Sequence, residues 1–246
     1  MFELTLSEKI DRQTQIAKIY KNLSKTVKVD GGVIVKHNRN GRSYLVLGVP
    51  DSKKEYYKAK ILDEILSVIL SSYKFNFFLE RLPNITSTIL YLSFLKAISF
   101  FDTESDKEVL KKNIEFSGEI LIDSLYYFKL QSLKAKWERT ATIILQNSIL
   151  SSSSSIIEVV RYLTTISNKG TICADIIIGK KLMIIKRIKS KKVFKNNSNG
   201  MSNLLSEIVI LNPLKINLKV AKSNKNSEIL CGYLQNIFEE KIYLMN

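Results

Sequence analysis

The apolar residues along the chain change period twice, from alternation to a helical repeat and back again. Phe2 to Leu6 alternates as a short strand, and a helical pattern follows from about Glu8 to Leu23. Thr5 and Glu8 have the spacing of a capping box, in which a hydroxyl and a carboxylate satisfy the first free amides of a helix. Val33–Lys36 and Tyr44–Leu47 then flank Asn38-Arg39-Asn40-Gly41. An Asn-Gly step between such runs predicts a hairpin, because both residues tolerate positive φ.

From residue 52 the period is helical. Ser52 and Glu55 form a second capping box, and Ile61, Leu62, Ile65, Leu66, Ile69 and Leu70 make a wide apolar face. Pro83 places the end of this helix near Arg81. Asn84 to Phe101 is apolar almost all round, with Lys96 its only charge, and reads as a central buried helix. Ser105 and Glu108 cap a short helix, Asp106 to Asn113, and Gly118-Glu119 begin a segment leading to a helix at Gln131 to Ile149. In that helix Leu130, Leu133, Trp137, Ala141 and Ile144 fall on one stripe. The serines at 151–155 resemble a linker. Ser155 and Glu158 nevertheless make another capping box, ahead of an apolar face of Val159, Val160, Leu163 and Ile166.

After Gly170 strands return. Ile176–Ile178, the turn Gly179-Lys180-Lys181 and Leu182–Ile188 predict a second hairpin, and 195–200 reads as a loop. A helix at Ser202–Leu211 is stopped by Asn212-Pro213. A strand at Ile216–Val220, a helix at Ser227–Phe238 and a strand at Lys241–Met245 can then form a right-handed βαβ unit. The expected fold is α+β, a helical middle flanked by N-terminal β-α-β-β and C-terminal β-β-α-β-α-β segments. These ends are expected to associate, with a shared sheet as one way to do so. The expected organisation is an α/β segment at 1–50, a helical domain at 51–169 and a basic α/β segment at 170–246.

Composition narrows the function classes. The 246 residues are 45% hydrophobic and 25% charged, which excludes a disordered tail and a collagen-like repeat. Two cysteines, Cys173 and Cys231, and one histidine, His37, exclude a disulfide framework and a Cys/His metal centre. The N-terminus lacks a basic segment followed by an apolar one, so no signal peptide is expected. The longest uncharged run, Thr140 to Ile157, holds Gln146, Asn147 and six serines and is too polar to span a bilayer. A cytoplasmic protein without a membrane span is the expectation.

The formal charge is +15, and it is not spread evenly. Residues 176–227 carry twelve basic residues against one acid, Glu207, while 1–175 carry only +6. An AT-rich genome favours Lys, Ile and Asn codons everywhere, so this clustering points instead to an anionic partner. Within the block, Lys180, Lys181, Lys186, Arg187, Lys189, Lys191, Lys192 and Lys195 are the candidate contacts to phosphates. The plainer reading of the same residues is a solvated hairpin with its lysines turned outward.

No catalytic constellation stands out, and no cofactor is expected. Asp102, Glu104 and Asp106 have oxygen ligands for a cation, but at a helix start such acids favour the free amides and the dipole. His37 has no nucleophile motif nearby and reads as an exposed histidine. Gly31-Gly32 precedes a strand and lacks the following Gly-Lys-Ser/Thr of a phosphate loop. Tyr126, Tyr127, Phe128 and Lys129 combine aromatics with a cation, yet four successive helical residues spread around the axis and form no flat platform.

Three stretches carry a family resemblance. Leu125-Tyr126-Tyr127-Phe128-Lys129-Leu130 resembles the aromatic-x-x-Phe-Arg-Leu segment of the YtxC-like putative sporulation family of endospore-forming Firmicutes, with Lys129 in place of Arg. Leu204 to Ile216 is similar to its helix-Pro-strand segment, and Ile237 to Ile242 to its closing helix-to-strand junction. The resemblance covers roughly 55–246 and implies a role in sporulation with no established catalytic residues. The cysteine-bearing tail of some members is missing, so no metal site carries over. The expectation is a non-enzymatic accessory protein acting through macromolecular contacts, or alternatively a sequence-nonspecific nucleic-acid-binding protein using the basic C-terminal patch. The protein partner is not identified by any residue.

Overall fold

The computed structural model describes residues 1–10, 13–84, 87–116, 118–166, 172–187, 190–221 and 225–245. The first elements are β1 (Phe2–Lys9), α1 (Gln13–Val29), β2 (Val33–Arg39), β3 (Arg42–Val49) and α2 (Lys54–Val68). A π-helical turn at Ile69–Lys74, α3 (Phe75–Arg81), α4 (Thr88–Phe100) and α5 (Thr103–Asn113) follow. Then come β4 (Glu119–Leu121), α6 (Ile122–Ser124), a second π-helical turn at Leu125–Lys129, α7 (Gln131–Gln146) and α8 (Ser153–Ile166). The last elements are β5 (Cys173–Ile178), β6 (Leu182–Arg187), β7 (Ser190–Lys195), α9 (Ser198–Leu211), β8 (Lys215–Val220), α10 (Lys225–Phe238) and β9 (Ile242–Leu244). The class is α+β, as the sequence indicates. The chain divides into two compact units, Met1–Lys74 with Thr103–Glu138 and Phe75–Asp102 with Arg139–Asn246.

The first unit holds a sheet of order β2-β3-β1-β4, in which β1 is antiparallel to β3 and parallel to β4. Asn40 and Gly41 close the β2–β3 hairpin at φ 49° and 70°, positive values that Asn tolerates and that Gly, with no Cβ, adopts freely. One face of the sheet buries Leu4, Leu6, Ile34, Leu45 and Leu47, and α1 packs on the strands with Ile16, Ile19, Leu23 and Val27 buried. The strand β1 runs on through Glu8, the residue expected to open a helix, and ends at Lys9, while α1 begins only at Gln13. Glu8 lies on the same face as Leu4 and Leu6 and is fully buried, its carboxylate accepting a 2.7 Å hydrogen bond from the Tyr73 hydroxyl. The pair Thr5–Glu8 therefore lies within a strand rather than at the start of a helix. β4 is a further correction, a three-residue strand inside the stretch read as helical.

The second unit holds a sheet of order β7-β6-β5-β8-β9. β5, β8 and β9 are mutually parallel, and β6 is antiparallel to both β5 and β7. Ala174, Ile176, Ile178, Met183, Ile185, Ile216 and Leu218 are buried on its inner face. There α9 packs on β6 and β7 and α10 on β9, while α4 packs against α8 and α9. The Gly179–Lys181 turn and the β8-α10-β9 unit match the sequence reading. The third strand β7 does not, since the sequence suggested a hairpin of two. Helix α9 also starts four residues early, because the Asn197 side chain accepts the Gly200 amide at 2.8 Å and caps it. Among the described residues the strands of the two chain ends fall in separate sheets. β1 takes its second neighbour from the helical middle, and β5 takes β8. No helix among the described residues is long and apolar enough to cross a membrane.

Candidate nucleic-acid interface

Residues in register on neighbouring strands point to the same side of a sheet. This fixes the side taken by each lysine in the paired strands of the second unit. On the side away from α9 and α10, β7 presents Lys191, Val193 and Lys195, and β6 presents Leu182, Ile184 and Lys186. The same side takes Cys173, Asp175 and Ile177 from β5, Lys215, Asn217 and Lys219 from β8, and Tyr243 from β9. All of these side chains are exposed or half-buried, so this face is open.

Among the described residues, five lysines thus share one face with a single carboxylate, Asp175. Asp175 accepts a 2.8 Å hydrogen bond from the Asn217 amide. Lys186 and Lys191 are direct register partners, and Lys191 and Lys195 stand four residues apart on one strand, about 13 Å. Lys215 and Lys219 repeat that spacing on β8, three strands away, or about 14 Å. Between them run Val193, Ile184 and Ile177, an apolar row across the middle of the plate. Lys215 Nζ sits 4.0 Å from the centre of the Tyr243 ring, a cation–π contact that holds the lysine over the last strand.

The eight residues singled out in the sequence separate accordingly. Lys186, Lys191 and Lys195 come together on the open face, and Lys180 and Lys181 are exposed in the β5–β6 turn. Arg187 and Lys192 fall on the opposite, helix-covered side. Arg187 Nε donates to Ser190 Oγ at 2.9 Å, and Lys192 pairs with Glu207 of α9. Lys189 lies outside the described residues. Lys215 and Lys219 belong to the basic block but join the face only through the β5–β8 pairing. That pairing is between strands 42 positions apart, which no local pattern records.

The other candidates have ordinary surroundings. Asp106 is buried, with its carboxylate 2.6 Å from Lys74 Nζ and 3.6 Å from Lys136 Nζ, while Glu104 stays exposed at the start of α5. Among the described residues no group of three or more His, Cys, Asp or Glu is placed to hold a metal ion. The aromatic run splits. Tyr126 packs between Tyr73 and Trp137, with ring centres 4.4 and 6.3 Å away, whereas Tyr127 and Phe128 face solvent. Burial and the nearby Glu228 raise the pKa of the Cys231 thiol, and Cys173 is exposed on the open face. No protein-family model, curated protein or solved structure matches this chain.

Proposed function

We propose that this protein is a non-enzymatic accessory protein that holds a nucleic-acid strand by its phosphates, without reading base sequence, on the open face of the C-terminal sheet. The observation that carries the reading is the gathering of Lys186, Lys191, Lys195, Lys215 and Lys219 on one open side, with Asp175 as the only acid there among the described residues. A plate of like charges on a rigid sheet is a costly arrangement that an anionic polymer relieves by exchanging its condensed counterions for lysines. Lys180 and Lys181 extend the cationic border at one end. The face offers few hydrogen-bonding groups besides ammoniums, which suits backbone contact rather than base readout.

The test is a filter-binding series against salt. Engagement of three to five phosphates gives a log–log slope of about −3 to −5 for duplex DNA. Replacing the five face lysines by Gln should flatten the slope and weaken binding of every sequence alike. Absence of binding at low salt, or an unchanged slope in the fivefold variant, overturns the reading. The YtxC-like resemblance adds sporulation as the process served, and normal spore formation in a deletion strain would remove that part.

A further inference from the structure

The N-terminal sheet has an open face of its own, with different chemistry. His37 of β2 is in register with Tyr44 of β3, and their rings are stacked, with centres 5.0 Å apart and planes 7° from parallel. That separation matches the strand spacing of about 4.8 Å, so the stack runs across the strands. β2 is the edge of this sheet, and His37 is exposed. The stack therefore ends on an imidazole face with no strand beyond it among the described residues.

One row further along the same side, Arg39 of β2 is in register with Arg42 of β3, and Arg42 with Lys9 of β1. This row of three cations lies about 7 Å from the ring row, two residues along each strand. The Arg42 guanidinium is committed to both oxygens of Asp123 and to Ser7 Oγ. Arg39 and Lys9 are exposed, and no ion pair of theirs is found among the described residues.

We infer that this face is a binding site for single-stranded nucleic acid, in which one base stacks on the open side of His37 and an adjoining phosphate sits on Arg39 and Lys9. Stacking on a ring that is itself backed by Tyr44 extends an existing column and demands no rearrangement of the sheet. A base inside a duplex has both faces covered and cannot reach the site, so the site selects single strands. The inference goes beyond the phosphate-docking reading, because it concerns the other sheet and recognises a base rather than a backbone.

The experiment measures fluorescence anisotropy with a short thymidine oligonucleotide and with an abasic strand of the same length and charge. The intact protein should bind the thymidine strand about tenfold more tightly than the abasic one. His37→Ala should abolish that preference, and His37→Phe, which keeps a flat ring, should retain it. Arg39→Gln with Lys9→Gln should weaken both strands and lower the salt slope. The fivefold lysine variant should weaken both strands equally and leave the base preference intact, so the two readings fail separately. His37 is exposed, so its replacement by Ala should leave the melting temperature unchanged, which separates lost binding from lost folding. Equal binding of thymidine and abasic strands, or a preference that survives His37→Ala, overturns the inference.

Discussion

Lys74 Nζ lies 2.6 Å from a carboxylate oxygen of Asp106, with the two side chains 4% and 0% exposed. Lys74 ends the π-helical turn that follows α2, and Asp106 stands in the first turn of α5. The pair is a cross-link between two helices of the first unit. Trp137 covers it, with Lys74 Nζ 5.8 Å from its ring centre.

Removing Asp106 takes its carboxylate counter-ion from a buried ammonium. Asp106→Ala should cost about 3–5 kcal/mol in urea unfolding, and adding Lys74→Met should recover much of that loss. A loss below about 1 kcal/mol in the single variant would show that the ammonium finds solvent or another partner.

A second prediction concerns pH. The hydroxyl of buried Tyr57 donates to Asp30 Oδ2 at 2.8 Å. This bond, together with the ammonium of Lys53, holds the Asp30 carboxyl below its ordinary value of 3.8. A carboxyl lowered on folding stabilises the fold above its unfolded pKa and loses that contribution as the pH falls through the folded one. Tyr57→Phe removes the largest cause. The intact protein should therefore exceed the variant in denaturation midpoint by a constant margin above about pH 5, and the margin should narrow below about pH 4. A pH-independent margin would mean that the hydroxyl acts through packing alone.

The start of α9 gives a third. A Cβ on Gly200 would lie 1.8 Å from the carbonyl oxygen of Lys195, the last residue of β7. Gly200→Ala should lower stability by about 1–3 kcal/mol, and Asn197→Ala, which deletes the cap, by about 1 kcal/mol. Both are read by thermal melting. Because β7 carries Lys191 and Lys195, Gly200→Ala should also weaken nucleic-acid binding, whereas a neutral result in both assays would show that the backbone yields there.

Single lysines distinguish the two sides of the sheet. Lys191→Gln should reduce the salt slope by about one, while Lys192→Gln, on the side facing α9, should leave it where it is. Equal effects would show that the bound strand wraps around the β7 edge.

The two thiols should differ in reactivity. Cys173 is exposed, while burial raises the pKa of Cys231. A disulfide reagent at neutral pH should titrate one fast and one slow thiol, and Cys173→Ser should remove the fast phase. A fast phase that persists would place Cys231 within reach of solvent.

Local chemistry was the legible part of this fold. The Asn40-Gly41 turn, the Gly179–Lys181 turn, the stop at Asn212-Pro213 and the stripe through Trp137 are each decided by a few adjacent residues. The four Ser/Thr-x-x-Glu pairs misled, because that pattern is common in a serine-rich chain and tertiary demands override it. Glu8 serves Tyr73, and Glu55 pairs with Lys58. Ser105 falls inside α5, where it accepts from Lys136. Ser155 donates its amide to Ser152 Oγ, which makes Ser152 the residue that caps α8.

The site was half legible. Charge clustering located the basic block, but β7 is exposed along nearly its whole length and so has no buried face to advertise as a strand. The arrival of Lys215 and Lys219 depends on a distant strand pairing. Lys74 does carry a sequence signal, since it continues the spacing of four through Leu66 and Leu70 into the buried face. A lysine on an apolar stripe implies a waiting carboxylate.

The position of β7 at the sheet border has one more consequence. Its outer row of amides and carbonyls has no neighbouring strand among the described residues, and Lys191, Lys192 and Lys195 ring that row with charge. Ammoniums so placed repel a second copy that would otherwise add its own strand and begin a fibre. A chain stripped of these three charges should turn cloudy on concentration, and an intact one should stay clear.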